Sequence, residues 1–321
     1  MRAVQITTHD GPGAVRLADV PDPVPAAGEA LIAVRAAGVS FPEVLQTRGR
    51  YQLSPTLPFV PGSEVAGEVV MAPAGSGLAP GDRVAAFTML GGFAELAAAP
   101  VTRVLPLPDG TSFDQGAALP LNYLTAWFAL VQRGRMRAGE SVLVQGAAGG
   151  VGTAAIQVAR AFGAGTVIAV TSTHEKGAVA LGAGADTYVL AESFKDDTLA
   201  AHPGGVDLVV DTVGDDRFTD SLRCLRDDGR LLVVGFTGGD IPSVKVNRLL
   251  LNNISVVGVG LGAYGVTRPT HVREGWNALL PFVENGALAP VIGEVFTLDQ
   301  ADQALRLIDD RRAVGKVLLR P

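Results

Sequence analysis

The chain has 321 residues, 48% of them hydrophobic and 18% charged, with a formal net charge of −6. That length suggests two domains or one large one, and that composition can bury a sizeable core. An acidic balance with no Lys/Arg run leaves no electrostatic footprint for nucleic acid, and no apolar run reaches the length of a membrane span. One cysteine, Cys224, excludes an intrachain disulfide and a cysteine-rich metal lobe. The opening MRAVQITTHDG lacks the layout of a signal peptide, so the expected location is the cytoplasm. Glycine and proline are spread between periodic segments and read as turns rather than as disorder.

Residues 1–110 read as mostly β. Strands are expected at 1–7, 29–36, 64–71, 83–87 and 92–100, with Pro21, Pro23 and Pro25 marking a loop. Many short strands separated by such turns suggest a partly closed barrel. Residues 41–48 read as a short helix, with Pro42 tolerated in its first turn. A longer helix is expected over 113–132, capped by Asp114, since Ala117, Ala118, Leu121, Leu124, Phe128 and Leu130 recur at roughly helical spacing.

From residue 141 the rhythm becomes strand, helix, strand, with strands at 141–145, 166–171, 187–190, 207–211, 230–235 and 254–258. That alternation implies a parallel, doubly wound sheet. The chain is organised around its first turn, SVLVQGAAGGVGTAAIQVARAFG at 141–163. A buried-type strand breaks at Gly146. Gly149, Gly150 and Gly152 follow, and Val151, Ala155, Ile156 and Ala159 then recur at helical spacing. Glycines let backbone approach a pyrophosphate, and a new helix offers it free N–H groups and a positive dipole end. A glycine cluster alone would also serve a tight turn; strand before and helix after are the context that a dinucleotide site requires. After about residue 260 the alternation stops. Helices at 273–285 and 299–310 and a strand at 316–319 are expected to return to the N-terminal β region.

The segments GVSFPEVLQTRGRY (38–51), PGSEVAGEVV (61–70), GDRVAAF (81–87), GGFAE (91–95), LTAWFAL (124–130), GAAGGVG (146–152), GRLLVVGF (229–236) and GKVLL (315–319) occur in this order along nearly the whole chain. In this the sequence resembles the medium-chain dehydrogenase/reductase superfamily, in its zinc-independent quinone oxidoreductase (ζ-crystallin-like) branch. The resemblance implies an α/β protein of two parts. One is a GroES-like, partly open β-barrel catalytic domain at 1–122 and 261–321; the other is a Rossmann domain with a doubly wound parallel sheet at 123–260. It also implies NADPH and hydride transfer to a small-molecule quinone or α,β-unsaturated carbonyl. A homodimer joined through the last Rossmann strand, residues 254–259, is expected; that strand is apolar, β-branched and carries no lysine. An enoyl-thioester reductase, or a non-catalytic NADPH-binding protein of the crystallin kind, are the alternatives.

Zinc-using relatives have Cys near the position of Ser40 and His in a G-H-E segment that here reads Gly62-Ser63-Glu64. His9, His174, His202 and His271 fall in no ligand-spaced pair, so no metal is expected. An NAD site usually carries an acid about twenty residues past the glycine turn. Here the second strand ends Thr171-Ser172-Thr173 and Lys176 follows, a hydroxyl-rich end plus a cation that suits a 2′-phosphate. A tyrosine frequent in relatives after the third strand is replaced by Ala191.

The resemblance assigns the cofactor to Ala148, Gly149, Gly150 and Val151 at the turn, and to Thr171, Ser172 and Lys176 after the second strand. Thr212, then Gly235, Phe236 and Thr237, then Val259, Gly260 and Leu261 follow at later strand ends, with Asn122 and Thr125 on the preceding helix, Ser40, and Arg311 on the phosphate side. It places residues 38–51 beside the nicotinamide. Relatives carry Asn where Ser40 stands and Tyr where Leu45 stands; Tyr51 keeps its match. Tyr51 and Ser40 are therefore the candidate catalytic residues, the phenol to meet the acceptor oxygen.

Overall fold

The structure is a computed structural model and describes residues 1–53 and 55–321. β1 (Arg2–Ile6) and β2 (Val15–Asp19) form an antiparallel hairpin. β3 (Glu29–Val39), α1 (Phe41–Thr47), β4 (Glu64–Met71), β5 (Arg83–Phe87), β6 (Leu96–Pro100), β7 (Val104–Pro106) and α2 (Phe113–Ala118) follow. α3 (Pro120–Trp127) leads to β8 (Ser141–Val144), α4 (Gly150–Ala161), β9 (Thr166–Thr171), α5 (His174–Gly182), β10 (Thr187–Leu190) and α6 (Phe194–Ala201). Then come β11 (Val206–Asp211), α7 (Arg217–Arg223), β12 (Leu225–Val233), α8 (Asn247–Asn252), β13 (Ser255–Gly258) and α9 (Leu261–Val266). The chain closes with α10 (His271–Glu284), β14 (Ile292–Thr297), α11 (Ala301–Asp309) and β15 (Lys316–Arg320).

Its contacts divide into two units, the first Met1–Leu121, Pro269–Glu284 and Pro290–Pro321, the second Asn122–Arg268 and Asn285–Ala289. In the first, the described residues form a mixed sheet in the order β14-β15-β3-β4-β5-β7, with β6 also paired to β3. β3 has eleven residues and serves three partners: its first half pairs with β6, its last three residues with β15, and most of its length with β4. The core of this unit packs Val4, Ile32, Val65, Val84 and Phe93 against Leu305 and Leu319, so α11 and β15 are part of the barrel. The C-terminal segment does return to the β region, because Val317, Leu318 and Leu319 pair with Val39, Gly38 and Ala37.

In the second unit six parallel strands lie in the order β10-β9-β8-β11-β12-β13. Counted from β8 this is 3-2-1-4-5-6, the order of a dinucleotide-binding sheet. The central strand β11 is buried at every residue, and β8 at all but its first, as expected of strands covered on both faces. Asp207 is tolerated in β11 because its carboxylate accepts from Ser141 N (2.8 Å) and Ser141 Oγ (2.7 Å).

Three sequence expectations need correction. Residues 113–132 are not one helix: α2 ends at Ala118 and α3 begins on Pro120, whose missing N–H and fixed φ suit a first turn. A π-helical turn, Phe128–Arg133, follows. The cap of α2 is Ser112, whose Oγ accepts from Gln115 N (3.2 Å), while Asp114 pairs with Arg320. Residues 92–95 precede β6 rather than opening it.

Candidate active site

The glycine turn joins β8 to α4. Gly146 has φ +60°, which a side chain rarely adopts, and Gly149 is the N-cap of α4. A Cβ on Gly152 would lie 2.3 Å from the Gly146 carbonyl oxygen and 2.7 Å from Ala147 Cα. A Cβ on Gly150 would meet only the Asn122 amide, at 2.5 Å. The turn is therefore closed by backbone against backbone, with the first N–H groups of α4 left to a ligand. This cradle fits a dinucleotide pyrophosphate.

Most of the other predicted residues of this unit lie at the carboxyl ends of the strands of this sheet. Thr212 Oγ1 donates to Gln145 O (3.0 Å) and lies against Gly146; Thr237 Oγ1 donates to Thr212 O (2.9 Å). Gly235 N bonds Asp211 O (3.4 Å), Phe236 packs on Gly214, and Val259 N bonds Val233 O (3.0 Å). Gly260 is the N-cap of α9, and Leu261 and Ala148 are buried, while Val151 is half-buried. Asn122 and Thr125 are both buried on α3. At the end of β9, Thr171 is buried with Oγ1 donating to Thr173 O (3.1 Å), and Ser172 is exposed. Thr173 caps α5, accepting from Lys176 N (3.3 Å), which places Lys176 one turn in, half-buried and with its ammonium pKa lowered by that burial.

Ser40, Tyr51 and Arg311 belong to the first unit. Arg311 follows α11, exposed and left-handed at φ +59°. Ser40 follows β3 and caps α1, and it stands in a polar cluster that sequence reading missed. Glu43, three residues on, accepts from Ser40 N (2.9 Å) through one oxygen. Its other oxygen accepts from Ser63 N (3.0 Å) and from Ser63 Oγ. Lys316 Nζ donates to Ser40 Oγ (2.5 Å) and to Glu64 Oε1, and Glu64 Oε2 accepts from Leu121 N (2.7 Å). Glu43 and Glu64 are 0% exposed and the Lys316 side chain 3%, so the pair is desolvated, whereas Ser40 is half-buried. Burial raises the Glu43 carboxyl pKa against the pull of its Ser63 bond and of Lys316. The Tyr51 phenol is also raised, first by desolvation and then by the charge of Glu43, so it remains an O–H donor through the neutral range.

Two signals in the sequence mark this cluster. Ser40-x-x-Glu43 is a capping box. Glu64 and Lys316 are opposite charges at the first positions of buried strands, where unpaired charge is not tolerated. Gly38 makes room for them: its Cβ would lie 2.6 Å from both Glu64 Oε1 and Lys316 Cε. Ser40 and Ser63 thus face an ammonium and a carboxylate. Among the described residues no three His, Cys, Asp or Glu side chains come together as a metal-binding group.

Residues 26–109 match the family model described as "Alcohol dehydrogenase GroES-like domain", and residues 150–285 match the one described as "Zinc-binding dehydrogenase". The quinone oxidoreductase of Rattus norvegicus is 35% identical over 99% of this chain and 97% of its own. The chain belongs to the quinone oxidoreductase family of medium-chain dehydrogenases/reductases. Quinone oxidoreductase-like protein 2 of Bos taurus is 37% identical over 91% of this chain and 84% of its own. The quinone oxidoreductase of Thermus thermophilus, solved also in complex with NADPH, is 37% identical, covers 100% of both chains and superposes with a TM-score of 0.87. As in this family, a GroES-like unit accompanies a Rossmann unit, and the protein is an oxidoreductase. No described helix is long and apolar enough to cross a membrane.

Proposed function

We propose that this protein is a cytoplasmic, homodimeric, NADPH-dependent reductase of quinones or α,β-unsaturated carbonyls that works without zinc. The observation that carries the reading is the end of β9. Thr171 and Ser172 are followed by Lys176, with no carboxylate at the position that binds a ribose 2′-OH. Hydroxyls and a cation there suit a 2′-phosphate, and the Thermus relative's complex with NADPH supports the same cofactor. The glycine turn holds the pyrophosphate on the N-terminus of α4.

Bound NADPH supplies a hydride. What remains for the chain is to orient the acceptor and meet the negative charge that develops on its oxygen. Tyr51 and Ser40 are assigned that task. An acceptor whose C=C or ring is already electrophilic needs less polarisation than an alcohol or a saturated aldehyde, which fits a pair of hydroxyls rather than a Lewis acid. Loss of NADPH absorbance on adding an enone or a p-quinone to exhaustively chelated protein tests the reading. No loss, or equal loss with saturated aldehydes, contradicts it.

A further inference from the structure

The ammonium of Lys316 lies behind the Ser40 hydroxyl at 2.5 Å. An ammonium has three N–H groups and no lone pair, so Ser40 Oγ accepts from it and keeps its own O–H to donate. Ser40 is half-buried, while Lys316, Glu64 and Glu43 are sealed from water. The Ser40 backbone is pinned by Glu43, and Lys316 is pinned by Glu64, itself held by Leu121 N. A buried ion pair is a weak stabiliser, often replaceable by apolar side chains without loss. A device that holds a protonated amine against the one half-buried hydroxyl of the cluster is better matched to proton delivery.

We propose that Lys316 supplies, through the Ser40 hydroxyl, the proton that neutralises the acceptor oxygen once hydride has arrived; an enol so formed from an enone then gains its carbon-bound proton from water and returns the oxygen-bound one. The step rests on the function proposed above. After hydride arrival the acceptor oxygen carries the negative charge. A new O–H bond forms there as the Ser40 O–H bond breaks, and Ser40 regains a proton as an N–H bond of Lys316 breaks. No electrons change hands in this step. Lys316, left neutral beside the Glu64 carboxylate, is reprotonated from water along the same hydroxyl after product leaves. Lys316 does not touch the acceptor; it acts through Ser40.

Two measurements test this. The first needs no substrate: the rate at which the Lys316 ammonium protons exchange with solvent in the resting, 15N-lysine-labelled protein. Exchange should slow at least about ten-fold in Ser40→Ala, since the hydroxyl is the path to water. The second compares turnover. Lys316→Met/Glu64→Gln removes both charges of the ion pair together and keeps an acceptor for Leu121 N, while Glu43 keeps its donors Ser40 N, Ser63 N and Ser63 Oγ. It should fold with unchanged thermal stability and NADPH affinity, yet lose roughly a hundred-fold in kcat, the lower end of general acid catalysis. Adding Ser40→Ala to it should cost little more, as for groups acting as one unit. Lys316→Arg, which keeps charge but holds its proton too tightly, should not restore turnover. Unchanged exchange in Ser40→Ala, full turnover in the double variant, or additive losses would each overturn the relay while leaving the reductase reading intact. A wild type that reduces no conjugated acceptor overturns that reading and the proton step with it, whatever the exchange rate.

Discussion

Discrimination between the two nicotinamide cofactors is assigned to one side chain, Lys176, on the first turn of α5 after a strand that ends without an acid. Lys176→Ala should weaken NADPH and leave NADH nearly unchanged. A hydrogen bond to a charged group contributes about 1.5–3 kcal/mol, or roughly ten- to a hundred-fold in affinity. Isothermal titration of both cofactors decides it; equal affinities in the wild type would contradict the assignment. The place of Lys176 in the fold was legible because it is local, a few residues past a strand end in one unbroken motif. The Ser40 cluster was not. Lys316 is 276 residues from Ser40 and 252 from Glu64, and only the pairing of β15 with β3 and of β3 with β4 brings the three together. Sequence reading isolated Ser40 and Tyr51, but not the charges that set the electrostatics of both.

At the scale of elements, the turn between β8 and α4 separates two glycines by what lies beside them. Gly152→Ala places a methyl against the Gly146 and Ala147 backbone, which cannot turn aside. Overpacking of this kind costs about 1–3 kcal/mol, a fall in Tm of roughly 3–10 °C for a domain of this size, and NADPH binding should fail with it. Gly150→Ala closely approaches the terminal amide of the Asn122 side chain rather than backbone, and should fold with a Tm close to wild type. Thermal unfolding of the two variants checks this, and equal Tm values would refute it. The buried parallel strands were readable because both faces are apolar. β2, β7 and β14 were missed for the opposite reason. β2 buries one residue of five fully, β14 none of six, and β7 has only three residues. Their identity comes from their partners rather than from their own pattern. The break between α2 and α3 was masked because apolar residues continue at helical spacing across Pro120.

For the whole molecule, the parallel sheet ends on β13, an edge strand whose outer backbone groups meet no strand among the described residues. Close to it in sequence, Val246, Leu250 and Leu251 are 73–75% exposed, and Ile241 and Val266 are exposed as well. An apolar, unblunted edge with apolar side chains around it is an aggregation hazard unless a second copy covers it. A two-fold pairing of β13 with its mate would do so. Light scattering at micromolar concentration should give a dimer, and Val246→Glu/Leu250→Glu, at positions that contribute little to the protomer's core, should give a folded monomer. A monomeric wild type would contradict the pairing.

The reduction of a conjugated acceptor is tested most directly by where the hydride goes. NADPH carrying deuterium at the transferring C4 position, exhaustively chelated protein and an enone should yield a saturated ketone. It should bear one deuterium on the carbon conjugate to the carbonyl, with an ordinary proton from water on its neighbour. Deuterium on the carbonyl carbon, giving an allylic alcohol, or a reaction that stops on chelation, would contradict a zinc-independent reductase of conjugated acceptors.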